Sequence, residues 1–289
     1  MPELPEVEVV KRSLSKKIQN LIIKKVKIND ENLRYKVNRD ELSKLVGKRI
    51  KNIKRRSKYL IFKIGKNKIM LVHLGMTGKF FFINKKNQKY KTSFYYSLNE
   101  AKDEKHNRII FFFVNKQKLI YNDIRKFGFI KIFSAKKLNK NSHIKNLGPE
   151  PLGKKFNSDY LQRYFKNRNR SIKDILMDQR CIAGLGNIYV NEVLFLSGIS
   201  PIRKVHKLKN FEVKKIIYNI KKILKNSIKL GGSSIKDFSS DDGKKGIFQQ
   251  HFKIYGRKGE KCSNADCNSK VIRRVISNRA SFICRSCQK

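Results

Sequence analysis

The first residues of the chain combine an imino acid with two carboxylates, because Pro2 is followed by Glu3 and Glu6. A second residue as small as proline predicts removal of Met1, which would leave a secondary amine at the chain start. Such an amine can attack an electrophilic carbon and form a cationic iminium, a strong electron sink for breaking a neighbouring bond. An α-amine of pKa about 7.8 is also far more often neutral at pH 7 than a lysine of pKa about 10.4. Pro2 is therefore a candidate nucleophile, although the same residues also suit an ordinary exposed helix start.

A second group of reactive side chains lies at the other end, where four of the five cysteines are found. Four residues separate Cys262 from Cys267, two separate Cys284 from Cys287, and sixteen separate the pairs. This spacing is typical of a tetrahedral thiolate Zn²⁺ site that holds a β-hairpin. We predict one structural zinc in preference to disulfides, because a cytosolic protein keeps its thiols reduced. Cys181 has no such neighbour in the sequence and is predicted to be buried.

Two further stretches could hold phosphate or contact a base. In residues 183–189 small residues directly precede a helix that starts at Asn187, so backbone N–H groups could hold a phosphate there. Helix capping with tight packing explains this pattern equally well, and Glu192 is a candidate structural partner of the turn. Downstream, the polar segment 233–246 could form a lid over a bound base or be an uncommitted linker.

Three loops of the N-terminal half pair basic with apolar residues. Lys58 opens a predicted strand, Met76 lies in a turn bracketed by glycines, and Arg125 precedes Phe127 beside another glycine. An apolar side chain at a loop tip can wedge into a base stack, and a nearby arginine can fill the vacated space or grip phosphate. Each residue is also an ordinary core or surface type, so the pattern alone leaves both roles open.

The elements that must position these residues change character along the chain. Val7, Val10, Leu14 and Ile18 recur at helical spacing and predict a first helix. Short apolar or alternating segments then predict strands at 26–28, 58–64, 69–74, 79–83, 93–98, 108–114, 118–121 and 127–133, forming a sandwich or barrel. Helices are predicted at 158–166, 171–177, 187–196 and 211–230, with Ser158 and Ser171 as caps. Hairpin strands at 270–276 and 281–283 leave 278–280, with Arg279, at the tip.

The fold class predicted is therefore α+β and multidomain. We expect a β-sandwich domain at 1–135, a linker at 136–157, a helical domain at 158–238 and a loop with the zinc hairpin at 239–289. The net charge of +47, from 69 basic and 22 acidic residues, predicts a polyanionic partner, with nucleic acid favoured over a membrane surface. A cytoplasmic protein is expected, because no apolar run of membrane-spanning length or signal-peptide pattern is present.

Together these motifs resemble those of bacterial formamidopyrimidine-DNA glycosylases, the bifunctional base-excision enzymes that remove 8-oxoguanine and ring-opened purines. The resemblance covers essentially the whole chain. It rests on PELPEVE at 2–8, RSKYL at 56–60, HLGMTG at 73–78, DIRKFG at 123–128, GLGNIY at 184–189, YGRKGEKC at 255–262 and RASFICRSCQK at 279–289. It implies an N-terminal β-sandwich, a helix-two-turn-helix domain and a zinc-finger hairpin, with DNA across the cleft between the halves.

The resemblance also implies a role for each site residue. The processed Pro2 amine would attack the sugar C1′, and Glu3 would act as the acid–base group. Lys58 would contact the DNA backbone at the lesion as part of the catalytic group. Asn187 and Arg279 would bind the phosphates that flank the lesion, and Arg279 would also belong to the catalytic group. Met76, Arg125 and Phe127 would fill the gap that the extruded nucleotide leaves in the DNA helix. The extruded base would be recognised by Glu6, Ser233 and Ser234.

The implied activity is a glycosylase with abasic-site lyase activity, acting as a monomer on double-stranded DNA that contains oxidised purines or abasic sites. Structural Zn²⁺ on Cys262, Cys267, Cys284 and Cys287 would be its only cofactor. The first cysteine pair has four intervening residues where the commoner family pattern has two, which predicts a longer zinc knuckle.

Two alternatives remain open at this point. Enzymes resembling endonuclease VIII prefer oxidised pyrimidines, but they typically have glycine where this chain has Leu4, which favours a purine substrate. A non-catalytic zinc-containing DNA-binding protein would have no reason to keep Pro2, Glu3 and Lys58 together.

Overall fold

A computed structural model describes residues 1–92, 104–233 and 250–289 of the chain. The chain divides into two compact units. The first comprises Met1–Lys145 and the segment that begins at Gly231, and the second comprises Asn146–Leu230 and the C-terminal segment. The predicted strand at 93–98 and most of the predicted lid, including Ser234, lie outside the described residues. None of the described helices is both long enough and apolar enough to span a bilayer.

The first unit begins with helix α1, Leu4–Ile18, which confirms the helix predicted from apolar spacing. Pro5 lies in its first turn, where the missing N–H would have no intrahelical acceptor in any case. Val7, Val10 and Leu14 are fully or almost fully buried in the core of the unit. The helix therefore fixes the chain start against the sandwich that follows.

Two antiparallel sheets form the predicted sandwich. Their strands are β1 (Ile23–Ile28), β2 (Ile50–Arg56), β3 (Tyr59–Ile64), β4 (Lys68–His73), β5 (Lys79–Ile83), β6 (Lys89–Lys91), β7 (Asn107–Phe113), β8 (Lys118–Asn122) and β9 (Phe129–Ser134). One sheet has the strand order β1, β7, β8, β5, β6, and the other has the order β2, β3, β4, β9. A short helix α2 spans Arg39–Ser43. Phe62, Phe80 and Phe111 come from both sheets and share one buried core.

Strand β2 was missed by the sequence prediction. Its burial runs buried, exposed, half-buried, buried over Ile50–Ile53 and so lacks the alternation of a regular half-buried strand. The pairing with β3 shifts register between Ile50 and Asn52, which is the signature of a β-bulge. A bulge adds a residue that breaks the period of two, so the sequence of β2 lacks the alternation from which a strand is predicted.

The second unit is helical at its start, as predicted. Its helices are α3, Ser158–Phe165; α4, Ile172–Met177; α5, Asn187–Ser197; and α6, Asn210–Lys229. Ser171 caps α4 by accepting from the backbone N–H of Asp174, which confirms that cap. The predicted cap of α3 was wrong by one residue, because the Asn157 side chain accepts from the N–H of Tyr160.

The C-terminal hairpin pairs β10, Ile272–Ile276, with β11, Arg279–Ile283. Ser277 and Asn278 have φ of 53° and 55°, so they form the two-residue turn with positive φ that matches strand twist. The predicted tip at 278–280 was therefore misplaced. Arg279 is the first residue of β11 and pairs with Ile276, and its side chain is exposed.

Candidate active site and metal centre

Both carboxylates at the chain start are buried at the beginning of α1. Glu3 is 3% exposed and Glu6 is 1% exposed, and Pro2 is also buried. The Glu6 Oε2 atom accepts a hydrogen bond from the backbone N–H of Glu3 at 2.9 Å. Its Oε1 atom accepts from the backbone N–H and the hydroxyl of Ser233 at 2.8 and 3.0 Å. One carboxylate thus joins the first helical turn to a residue more than two hundred positions away.

Gly232 permits this approach. Its φ is +85°, and a Cβ added there would lie 3.2 Å from both Cγ and Oε1 of Glu6. A side chain would therefore be both strained and crowded against the carboxylate. Gly232, two residues after Leu230, the C-cap residue of α6, therefore lets the backbone pass close to Glu6.

Lys58 lies in the tight turn between β2 and β3 and is only 6% exposed. Ser57 has a φ of 54°, and its carbonyl oxygen accepts from Nη1 of Arg55 at 2.9 Å. Nε of the same arginine donates to Glu8 Oε2 on α1 at 2.9 Å. This ion pair holds the Lys58 turn against the helix that starts at the candidate nucleophile.

His73 is a site residue that the sequence prediction did not single out. Burial, together with positive charge on Lys58, Arg34, His143 and the chain's α-amino group, lowers the pKa of His73 to about 4. The neutral ring accepts at Nδ1 from the backbone N–H of Gly75 at 3.1 Å. The positive charges of Lys58 and of the amino terminus therefore both disfavour protonation of the His73 ring. A histidine directly before a glycine-bracketed turn was the signal that could have identified it.

The loops that contain Met76 and Arg125–Phe127 lie side by side. The backbone N–H of Arg125 donates to Thr77 Oγ1 at 2.9 Å. The Arg125 Cζ atom lies 4.5 Å from the centre of the Phe127 ring, a cation–π distance. Arg125 and Phe127 are exposed and Met76 is half-buried. The fold thus brings together the three residues that the sequence suggested could enter a base stack.

In the second unit, side chains near the start of α5 form hydrogen bonds with the backbone of the hairpin. Asn187 Nδ2 donates to the Ala280 carbonyl at 2.9 Å, and Asn191 Oδ1 accepts from the Phe282 N–H at 2.8 Å. The buried Lys173 ammonium contacts the carbonyl oxygens of Arg279 and Ala280 at 3.4 Å. These bonds place Asn187 next to the strand that presents Arg279.

The predicted partner of the 184–186 turn was wrong. Gln179 supports that turn, because its Oε1 accepts from the Gly184 N–H at 2.8 Å and its Nε2 donates to the Leu185 carbonyl at 2.7 Å. Glu192 instead accepts from three consecutive backbone N–H groups, those of Lys253, Ile254 and Tyr255, at 2.8 to 3.0 Å. It therefore holds the chain that leads into the cysteine segment.

The four C-terminal cysteines converge on one point. The sulfur atoms of Cys262, Cys267, Cys284 and Cys287 all lie within 4.8 Å of one another and could hold a metal ion. All four are free thiols, and the Cys262–Cys287 and Cys267–Cys284 sulfurs lie 3.8 and 3.6 Å apart. A disulfide requires about 2.05 Å between sulfurs. Four sulfurs placed tetrahedrally about 2.3 Å from zinc would be about 3.8 Å apart, so the cluster fits such an ion.

The fold and these groups define a class of proteins in two units, with an N-terminal sandwich, a helical unit and a four-cysteine hairpin that could hold a metal ion. Residues 1–130 match the formamidopyrimidine-DNA glycosylase N-terminal domain, and residues 147–239 match the H2TH domain of the same enzymes. The chain belongs to the formamidopyrimidine-DNA glycosylase family, whose members are base-excision glycosylases and abasic-site lyases.

Individual relatives agree over their whole length. The chain is 38% identical to the formamidopyrimidine-DNA glycosylase of Roseobacter denitrificans and 40% identical to that of Rickettsia bellii, with full coverage of each pair. It is similar to crystal structures of Lactococcus lactis Fpg, at 34% identity and a TM-score of 0.85. One is a mutant complexed with Fapy-dG-containing DNA, covering 100% of both chains, and another is a complex with abasic-site DNA, covering 99% of both.

Proposed function

We propose that this protein excises oxidised purines, namely 8-oxoguanine and formamidopyrimidines, from double-stranded DNA and then nicks the strand. The proposal assigns the nucleophile to the Pro2 amine after removal of Met1. The observation that carries it is the burial of Pro2 and Glu3 at the start of α1, with Lys58 buried in the turn that Arg55 ties to the same helix.

The chemistry runs in three steps. The Pro2 nitrogen lone pair attacks C1′ of the lesion nucleotide, and the bond from C1′ to the base breaks with its electrons leaving on the base. The nitrogen then loses its proton, and its lone pair forms the C1′ iminium as the C1′–O4′ bond breaks and O4′ takes up a proton. The resulting iminium acidifies the C2′ proton, whose loss expels the 3′ phosphate in a β-elimination. With the covalent bond still in place, a second δ-elimination expels the 5′ phosphate. Glu3 is the group proposed to donate and accept protons during these steps.

A base stacked in a duplex shields C1′, so the nucleotide must first leave the helix. Met76, Arg125 and Phe127 are proposed to fill the gap it leaves, supported by their shared position at one edge of the sandwich. Glu6, with Ser233 bonded to it, is proposed to face the extruded base, and Ser234 with it.

Phosphates on either side of the lesion are assigned to Lys58 in the first unit and to Asn187 and Arg279 in the second. The bond from Asn187 to the Ala280 carbonyl supports joint action by the last two. Phosphate contacts fix position without reading sequence, as a repair enzyme requires. The net charge of +47 supports a DNA partner, and we place the activity in the cytoplasm, at the nucleoid.

The metal is proposed to be one structural Zn²⁺ on Cys262, Cys267, Cys284 and Cys287. Its role is to order the hairpin that presents Arg279, because a structural zinc site contributes folding free energy. The chemistry at C1′ needs no metal in this scheme, since every step uses the chain's own amine and carboxylate.

Borohydride trapping on duplex DNA tests the nucleophile. Reduction of the iminium should join the parent protein covalently to a strand containing 8-oxoguanine opposite cytosine. Glu3→Gln should form this adduct at least about a hundredfold more slowly, the usual contribution of general acid–base catalysis. Protein that keeps Met1 should form no adduct. A full adduct yield from protein with intact Met1 would show that another amine is the nucleophile.

Substrate choice is tested on the same protein with two duplexes. We expect faster excision of 8-oxoguanine opposite cytosine than of thymine glycol. Markedly faster turnover of thymine glycol would assign the chain an oxidised-pyrimidine substrate and leave the Pro2 chemistry intact.

A further inference from the structure

Two loops of the first unit meet around the buried carboxylate of Asp123. The first loop, residues 74–78, joins β4 to β5 and contains Met76; the second, residues 123–128, joins β8 to β9 and contains Arg125 and Phe127. We call these the methionine loop and the arginine loop. Asp123 is 0% exposed and Thr77 is 8% exposed, so the contact between the loops is shielded from water.

Three donors converge on the Asp123 carboxylate. Oδ1 accepts from the Thr77 hydroxyl at 2.5 Å, across the two loops. Oδ2 accepts from the Gly128 backbone N–H at 2.8 Å and from the Tyr121 hydroxyl at 3.3 Å. The Thr77 oxygen in turn accepts from the Arg125 N–H at 2.9 Å. The threonine hydroxyl is therefore a relay that joins the carboxylate to the backbone of the residue proposed to enter the DNA.

The backbones of the two loops are also in direct contact. A Cβ added to Gly75 would lie 2.4 Å from Gly128 N and from the Phe127 carbonyl carbon, and one added to Gly128 would lie 1.9 Å from the Tyr121 hydroxyl. A Cβ added to Gly78 would lie 2.6 Å from that hydroxyl. Such close packing leaves no room for one loop to move independently while the hydrogen bonds remain.

Outer contacts fix the arginine loop to its surroundings. Arg108 is buried, and its Nε donates to the Asp123 carbonyl at 2.9 Å. The Asp123 N–H donates to the His106 carbonyl at 3.1 Å, and the Gly128 carbonyl accepts from the Arg34 N–H at 3.1 Å. The carboxylate thus sits at a rigid point of the sandwich, and the methionine loop is tied to that point through Thr77.

We propose that Asp123 and Thr77 are positioning residues that hold the methionine loop and the arginine loop as a single wedge for insertion into DNA. The inference rests on the proposed function, because it assumes that Met76, Arg125 and Phe127 fill the gap left by the extruded nucleotide. Insertion requires the three side chains to occupy the gap together. If the loops move independently, the ordering cost falls on the insertion step and slows base extrusion.

The pair Thr77→Val and Thr77→Ser tests the proposal. Valine keeps the shape and removes the hydroxyl, which leaves both the Asp123 carboxylate and the Arg125 N–H short of a partner; serine keeps the hydroxyl. We expect Thr77→Val to slow single-turnover excision of 8-oxoguanine from duplex DNA about ten- to a hundredfold, the order of magnitude for loss of a buried hydrogen bond to a charged group. Thr77→Ser should stay within about threefold of the parent, since its hydroxyl keeps the same bonds.

Two readouts separate positioning from general damage to the fold. Fluorescence of 2-aminopurine placed next to the lesion reports unstacking, and its rise should slow in Thr77→Val by the same factor as excision. Cleavage of a preformed abasic site should slow much less, because no base must leave the stack. Equal slowing on both substrates with an unchanged fluorescence phase would overturn the proposal, as would parent-like excision by Thr77→Val.

Met76→Ala and Phe127→Ala distinguish this proposal from the one it rests on. If neither alanine variant slows the fluorescence phase, the assigned gap-filling role is wrong. If they do but Thr77→Val does not, only the coupling of the loops is wrong. If the melting temperature shows that Thr77→Val folds poorly, a double-mutant cycle replaces it. The cycle compares the parent, Asp123→Asn, Phe127→Ala and the variant that carries both changes. Coupled loops predict effects that are clearly less than additive, and additive effects contradict the coupling.

Discussion

The Glu6 carboxylate bonds to the backbone N–H of Ser233 at 2.8 Å, although 227 positions separate the two residues. Its other oxygen is already engaged by the Glu3 N–H at 2.9 Å. Both oxygens therefore act as acceptors from backbone donors at the same time. This relationship fixes the start of the segment after α6 to the helical turn that follows the candidate nucleophile.

Glu6→Gln should destabilise the protein and slow excision together. A glutamine has one oxygen, so its amide N–H₂ group must face either the Glu3 or the Ser233 N–H, donor against donor. We expect a cost of about 1–3 kcal/mol, the usual range for a buried donor that loses its acceptor. Calorimetry should show a lower melting temperature, and single-turnover excision of 8-oxoguanine should slow about tenfold or more, since each factor of ten corresponds to about 1.4 kcal/mol.

Glu41→Gln is the matched control for this change. Glu41 pairs with Lys44 and Lys68 in the same unit, and these lysines lower its pKa to about 2. Its pairs are far more solvated, and such pairs contribute about 0–1 kcal/mol. If Glu6→Gln had the same melting temperature and excision rate as Glu41→Gln, the contact between Glu6 and Ser233 would contribute to neither stability nor excision.

Metal content tests the four-cysteine site. Parent protein purified under reducing conditions should contain about one zinc per chain, as expected for a closed four-thiolate site. Cys284→Ser should lose the metal and most DNA affinity, since Cys284 is fully buried within the cluster. Cys181→Ala is the control, because Cys181 is equally buried but lies in the helical core. Equal zinc content in the two variants would contradict the assignment.

His73 should make stability depend on pH in the acid range. Its pKa is about 4 in the folded protein, against about 6.5 for an unperturbed histidine. The unfolded chain therefore binds a proton first as the pH falls, so stability is complete above pH of about 6.5 and declines toward pH 4. The full difference corresponds to at most about 3 kcal/mol.

His73→Gln removes this titration and retains a hydrogen-bond acceptor. We expect its melting temperature to fall less than that of the parent between pH 7 and pH 4.5. The comparison isolates one group, since His143, Lys58 and Arg34 are unchanged in both proteins. Parallel pH profiles for the two proteins would show that the histidine is already free to protonate in the folded state.

Arg279 should contribute one ionic contact to DNA. Neutralising one phosphate releases counterions, so Arg279→Ala should reduce the slope of log affinity against log salt by about 0.9. Lys214→Ala, on the exposed side of α6, removes the same charge and should leave the slope unchanged. Affinity measured at four or more salt concentrations gives both slopes. Equal slopes for Arg279→Ala and the parent would show that Arg279 does not contact a phosphate.

Features that depend on neighbours in the sequence were predictable. The apolar spacing of Val7, Val10 and Leu14 identified α1, and Ser171 identified the start of α4. The cysteine spacing was sufficient to predict one cluster, since a metal site constrains its ligands to lie close together in sequence pairs. In each case the physical cause acts within a few residues, so one sequence contains it completely.

The tertiary structure decided which distant groups meet. No local pattern links Glu6 to Ser233, Thr77 to Asp123, or Glu192 to the 253–255 backbone, because these contacts arise only when separate strands and loops pack against each other. The bulge in β2 likewise exists only in relation to its partner strand. Residue types thus determined what chemistry was available to this chain, whereas packing determined which side chains could act on the same atoms, since burial and hydrogen-bond geometry belong to the folded state alone.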